Sequence, residues 1–202
     1  MEYVLIALAC VSYPQVGGNH LILPLENVSA IDAGFYQRRR GQGKKRRIHG
    51  AIDQNTPIGT PVRAVGDGIV TKIYEMSSYM SATNRILKRL RRGQANSWSI
   101  AKKRFKQCRC TRRIRRISQA PWRSGIYLSI QHKTDKGRVF KTQYMHLNKI
   151  VVRLGANVTR GQVVAYSGDT AIIDNPPHLH FQIRCGERKR NPQKYIKALD
   201  RN

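Results

Sequence analysis

Two stretches of this 202-residue chain, Ile48 to Tyr74 and Gly125 to Arg184, share one pattern: short runs rich in β-branched residues, each cut off by Gly or Pro. Such runs are too short for amphipathic helices and suit the strands of a sheet. The expected fold is therefore all-β, a small antiparallel sheet or sandwich, in one domain covering 1–202. Residues 1–36 carry a weaker version of the pattern, with Gly17, Gly18 and Pro24 interrupting short strand-like runs. The apolar run from Tyr3 to Val11 is too short to span a bilayer, so no transmembrane segment is expected. It follows Glu2 rather than a basic residue, and it reads as a buried strand in preference to a secretory leader.

Between the two β-rich stretches lies 77–123, which has many Lys and Arg and no acidic residue. Its apolar positions Ile86, Leu87, Leu90, Ile114 and Ile117 recur at helical spacing, so it reads as an insertion with one or two basic helices. A charge run is ordinarily a solvated face. Here the whole chain carries 38 Lys and Arg against 11 Asp and Glu, a formal net charge of +27, which predicts attraction to a polyanion. Nucleic acid, an anionic cell-wall polymer and acidic lipid head groups all qualify. The candidate contacts are Arg89, Arg91, Arg92, Lys102, Lys103, Arg112, Arg113, Arg115 and Arg116, with a second basic loop at 37–47. Trp98, Phe105 and Trp122 are scattered through the insertion and read as packing residues rather than base-stacking platforms. The four cysteines, Cys10, Cys108, Cys110 and Cys185, allow a disulfide between distant residues, but reduced or structural thiols are the expectation.

The histidines carry the chemistry. His49 and Asp53 form H-x-x-x-D, and imidazole nitrogen and carboxylate oxygen are both good zinc donors. A helix would put both on one face, but Gly50, Pro57 and Gly59 argue for a loop beside a strand. His178 and His180 flank Leu179, and strand alternation through Phe181 and Ile183 would turn both imidazoles to one face and Leu179 and Phe181 to the core. A catalytic zinc needs three protein ligands and one open position, which His49, Asp53 and one of this pair can supply. The other imidazole, or His146 in Y-M-H-L, remains to move protons. His20 and His132 have no such company and read as structural.

Taken in order, these motifs resemble the lysostaphin-type, or LytM-like, family of zinc endopeptidases. The resemblance runs from Leu23-Pro24-Leu25 and Ser29 to Phe35 through H-G-A-I-D, G-T-P-V-R-A-V-G-D-G-I-V (59–70), I-Q-H and Y-M-H-L. It continues through G-A-N-V-T-R-G-Q-V-V-A-Y-S-G (155–168) to P-H-L-H-F, leaving out only 77–123 and the two ends. It implies an antiparallel β-fold with a groove across one sheet and a single zinc ion held by His49, Asp53 and His180. It further implies His146 and His178 as catalytic histidines, and peptidoglycan cross-links as substrate. Gly50-Ala51 after His49 and Gln182 after H-L-H-F depart from the commoner family pattern and bear on substrate preference.

The expected activity is thus zinc-dependent endopeptidase cleavage of bacterial peptidoglycan, in an extracellular, periplasmic or phage-virion setting. With no H-E-x-x-H glutamate, imidazole must take the base's part. The alternative is a non-catalytic binding or structural virion protein that uses the basic segments to hold a polyanion or a larger assembly.

Overall fold

The computed structural model describes residues 14–26, 34–35, 38–39, 47–75, 124–171 and 176–196. The expected basic helices of 77–123, the nine candidate polyanion contacts there and the run Tyr3 to Val11 all lie outside these residues. No helix among the described residues is long and apolar enough to cross a membrane.

Two small ladders come first. Strands β1 (Gln15–Val16) and β2 (Asn19–His20) pair across Gly17-Gly18, whose φ angles of +58° and +73° are those of a two-residue primed hairpin turn. Strands β3 (Arg38–Arg39) and β4 (Arg47–Ile48) pair antiparallel, Arg38 opposite Ile48 and Arg39 opposite Arg47.

The remaining strands form one antiparallel sheet. In chain order they are β5 (Ile52–Asn55), β6 (Pro61–Arg63), β7 (Gly68–Tyr74), β8 (Ile126–Lys133), β9 (Val139–Ile150), β10 (Asn157–Val158), β11 (Val163–Ser167), β12 (His178–Cys185) and β13 (Arg188–Arg190). Among the described residues this sheet has nine strands, ordered β10-β7-β8-β9-β11-β6, with β12 on β9 and then β5 and β13 on β12. The all-β expectation therefore holds, and alternation assigns the faces. Leu179, Phe181 and Ile183 of β12 join Ile52, Leu128, Ile130 and Tyr144 in a core from which water is essentially excluded.

Strand β9 holds the architecture together by changing partner along its length. Its first half pairs with β12, Lys141 to Met145 lying opposite Arg184 to His180, and its second half pairs with β11 from Leu147 onward. His146 sits at the changeover with φ +64°, a conformation uncommon for a residue with a β-carbon. The kink re-aims its side chain relative to the regular alternation.

Cys185 at the end of β12 is disulfide-bonded, contrary to the expectation of reduced thiols, and its partner lies outside the described residues. The Tyr195 hydroxyl donates to its sulfur at 3.0 Å.

His132 proves structural, as expected. It is fully buried, its Nδ1 donates to the Asp67 carbonyl at 2.8 Å, and Nε2 is left to accept from the Thr142 hydroxyl at 2.8 Å. Tyr144 Oη lies 3.3 Å from that hydroxyl and accepts from the Val65 N–H at 3.1 Å, so the buried polar atoms are satisfied in a chain. Burial lowers the His132 pKa to about 4, only partly opposed by the Asp67 carbonyl. Between that value and the ordinary 6.5 the unfolded chain binds a proton that the folded one refuses. The resulting stability is fully present above about pH 6.5 and falls by roughly 3 kcal/mol as the pH drops through about 4. Thermal unfolding followed from pH 7 to pH 4 should show a smaller decline for His132→Gln than for the parent chain. Equal slopes would assign the acid sensitivity to other groups.

Candidate metal centre

Strand β12 sets the centre by pairing with β5 on one side and β9 on the other. Its register against β5 puts His178 opposite Asn55 and His180 opposite Asp53, while Leu179 and Phe181 point into the core. Directly opposite residues share a face, so Asp53 and His180 meet side by side. His49 approaches from the residues before β5, and Gly50 makes that approach possible with φ +72°. That torsion is strained for any other residue, whereas a β-carbon there would meet only the flexible Lys189 side chain, at 2.6 Å.

Three donor atoms converge. Asp53 Oδ1 lies 2.7 Å from His180 Nδ1 and 3.1 Å from His49 Nε2, and the two imidazole nitrogens are 3.2 Å apart. All lie within 4.8 Å of one another, the arrangement required of a metal site. Tetrahedral zinc with bonds of about 2.0–2.1 Å separates its ligand atoms by about 3.3 Å, so this donor set fits zinc with small adjustments. His49 Nδ1 faces the Gly34 carbonyl at 3.3 Å, which requires the hydrogen on Nδ1 and turns the Nε2 lone pair inward. Asp53 is buried, which by itself would raise its pKa. The neighbouring His180 and His49 imidazoles outweigh that and hold the carboxyl far below the ordinary range, so it is an anion.

The two further histidines flank the same spot. His146 Nδ1 donates to the Thr170 carbonyl at 2.8 Å and His178 Nδ1 to the Pro176 carbonyl at 2.9 Å. Each therefore keeps its Nε2 as the available basic nitrogen. Their rings lie 4.9 Å apart edge to face, His146 is 5.7 Å from the His180 ring, and His178 Nε2 is 3.8 Å from Asp53 Oδ2. Burial foremost, then the charges of His180 and His178, lowers the His146 pKa to about 3, so at neutral pH it is uncharged. All five residues expected from the sequence are thus brought together. His20 is elsewhere, its carbonyl accepting from Arg160 Nε at 2.8 Å.

Sequence reasoning missed the polar row beside the centre. Gln182 Nε2 donates to Gln143 Oε1 at 3.1 Å, and Gln143 Nε2 to Ser129 Oγ at 3.0 Å, across three adjacent strands. It also missed Thr170, whose hydroxyl donates to the Leu147 carbonyl and accepts from the Ile126 N–H while its carbonyl orients His146. The two-residue spacing of Gln182 from His180 was the available sign for the first; Thr170 left none.

Residues 115–192 match Peptidase family M23. That span contains His146, His178 and His180, whereas His49 and Asp53 precede it. The chain is 29% identical over 159 residues to peptidoglycan DD-endopeptidase ShyB of Vibrio cholerae, covering 78% of this chain and 26% of that protein. Its fold is similar to a zinc-containing peptidase from Vibrio cholerae, with TM-score 0.57 and 25% identity over 92% of this chain and 42% of the other. Lysostaphin from Staphylococcus simulans shares the fold alone, with TM-score 0.56 and 19% identity over 91% of this chain and 56% of the other. By sequence over part of its length and by fold, the chain is similar to lysostaphin-type, M23 peptidases. It spans about a quarter of the length of the curated relatives it matches first.

Zinc added to chelator-treated protein should raise the unfolding temperature, by the equivalent of about 2.7 kcal/mol at free zinc about 100-fold above Kd. Asp53→Ala and His180→Ala should abolish that rise, and His146→Ala and His178→Ala should keep it. A rise lost in His178→Ala and retained in His180→Ala would reverse the assignment within the pair.

Proposed function

We propose that the chain is a zinc-dependent endopeptidase that hydrolyses the peptide cross-links of bacterial peptidoglycan, with one zinc held by His49, Asp53 and His180. The observation that carries this reading is the convergence of those three donors beside two more imidazoles whose tautomers are fixed by backbone carbonyls. The match of residues 115–192 to Peptidase family M23 and the similarity to named peptidoglycan DD-endopeptidases support the substrate class.

Bound there, zinc supplies Lewis acidity, polarising a carbonyl and lowering the pKa of a water from about 15.7 toward about 7. The chain's own groups do the rest. Neutral His146 accepts the proton of the attacking water at Nε2 and returns it to the departing amine, while its Nδ1–H stays on the Thr170 carbonyl. His178, anchored at Pro176, presents its Nε2 on the same side, facing the place where charge develops on the scissile carbonyl oxygen. The Asp53 carboxylate keeps the centre's positive charge from accumulating. The proposed site of action is the cell wall. The net charge of +27 supports retention on a wall that carries anionic polymer.

Purified protein incubated with peptidoglycan should release peptides with new termini, identified by mass spectrometry, and a zinc chelator should stop the release. His146→Ala should retain zinc and lose about two to four orders of magnitude in turnover, the scale for a general acid-base group. Zinc-loaded protein that released nothing from either Gram-negative or Gram-positive wall would favour a binding role instead.

A further inference from the structure

A buried hydroxyl joins β8 to β9 one residue beyond His146. Ile126 lies opposite Leu147 in the ladder, whereas the next pair, Leu128 opposite Tyr144, is out of step with it by one residue. At that irregular end the Ile126 N–H donates to Thr170 Oγ1 at 3.0 Å, and the same hydroxyl donates to the Leu147 carbonyl at 2.9 Å. Ile126, Leu147 and Thr170 are all buried. The main-chain carbonyl of Thr170 is the acceptor for His146 Nδ1 at 2.8 Å, so the residue that bridges the strands also holds the ring. Two glycines close the space around it. Gly125 has φ +64°, and a β-carbon there would overlap the hydroxyl and carbonyl oxygens of Thr170. A β-carbon on Gly168 would come within 2.7 Å of the Leu147 carbonyl carbon. Real β-carbons do not approach backbone atoms so closely, and a backbone has no flexible end to give way.

We propose that Thr170 and Gly125 are positioning residues for His146 and set the rate of its proton transfer, a proposal that rests on the role given to that histidine above. Neither belongs to the metal donor set. Without the hydroxyl, the buried Ile126 N–H loses its acceptor and the Leu147 carbonyl a donor, and the backbone must shift to pair them. The Thr170 carbonyl shifts too, and His146 Nδ1 loses the acceptor that holds its hydrogen and so keeps Nε2 basic. The positive φ of His146 makes its backbone ready to relax once that hold weakens. Misplacing a reacting group by about 1 Å costs about 100-fold in rate. A methyl group at Gly125 displaces the same carbonyl from the other side, so the residue just before β8 is coupled to a step at the far end of that contact.

The test follows turnover of one cross-linked muropeptide by the zinc-loaded protein. Thr170→Val, of nearly the same shape but with no hydroxyl, should lower kcat about 10- to 100-fold with KM little changed and the zinc-induced rise in unfolding temperature retained. Thr170→Ser keeps the hydroxyl and should keep most of the turnover, and Gly125→Ala should resemble Thr170→Val. Should Thr170→Val not fold, Thr170→Cys, whose thiol is a weak hydrogen-bonding group, carries the same comparisons. In a His146→Ala background Thr170→Val should cost no further turnover, because the group it positions is gone. Imidazole nitrogen NMR reads the ring directly, the His146 signals being assigned by their loss in His146→Ala. Thr170→Val should shift or broaden those signals, and Thr170→Ser should leave them in place. A kcat in Thr170→Val equal to the parent's, or a loss that adds in full to that of His146→Ala, overturns the proposal. Unmoved His146 signals in Thr170→Val overturn it whatever the activity. Moved signals in an enzyme that cuts nothing uphold the positioning, and only the proposed activity then fails.

Discussion

The register of β12 against its two neighbours is the constraint on which the centre depends. His180 must lie opposite Asp53 on one side and Met145 on the other. Side chains alternate with a period of two, so a slip of one residue would send Leu179, Phe181 and Ile183 into water and drive His178, His180, Gln182 and Arg184 into the core. Burying each of those three apolar side chains is worth roughly 1.5–3 kcal/mol, and the buried imidazoles and guanidinium would cost more. The packing of one face thus fixes the chemistry of the other, and the centre needs little stabilisation of its own to be well placed.

The divided pairing of β9 adds what a flat sheet lacks. A regular strand continuing past Met145 would carry residue 146 to the core face along with Tyr144. The positive φ at His146, placed where β12 gives way to β11, turns the ring toward His178 instead. Such a torsion is unfavourable for histidine and persists because its surroundings over-determine it. Thr170 is a large part of those surroundings, binding the Leu147 carbonyl, the Ile126 N–H and the His146 ring at once. The mixture of a rigid core face and one strained residue is a common way for a sheet to hold a proton-transfer group at a fixed point.

The parts of this arrangement that depend on local periodicity were legible in the sequence, and the parts that depend on register were not. Alternation around Leu179 and Phe181 correctly gave a strand with both histidines on one face. It did not by itself decide which histidine meets Asp53, because residues two apart are equivalent until a neighbouring strand is placed; only the family resemblance chose His180. The H-x-x-x-D pair was read as a loop beside a strand, and Asp53 is indeed in β5 with His49 just before it. The partner change of β9, the kink at His146 and the role of Thr170 have no signature in composition or spacing, since each arises from strands distant in the chain. The disulfide at Cys185 was invisible for the same reason: cysteine spacing does not say which sulfurs approach.

Strands β7 and β8 are neighbours, with Tyr74 opposite Tyr127 and the two rings stacked 5.7 Å apart. Residues 75–125 therefore leave the sheet and re-enter it at adjacent points, wherever they travel in between. Closing such a loop costs only about 0.6 kcal/mol more each time its length doubles. As far as loop closure goes, the sheet is therefore only weakly sensitive to the length of the segment spliced in there. The stacked Tyr74 and Tyr127 rings close the base of that excursion, so the pairing of β7 with β8 can outlast a change in the length of chain between them.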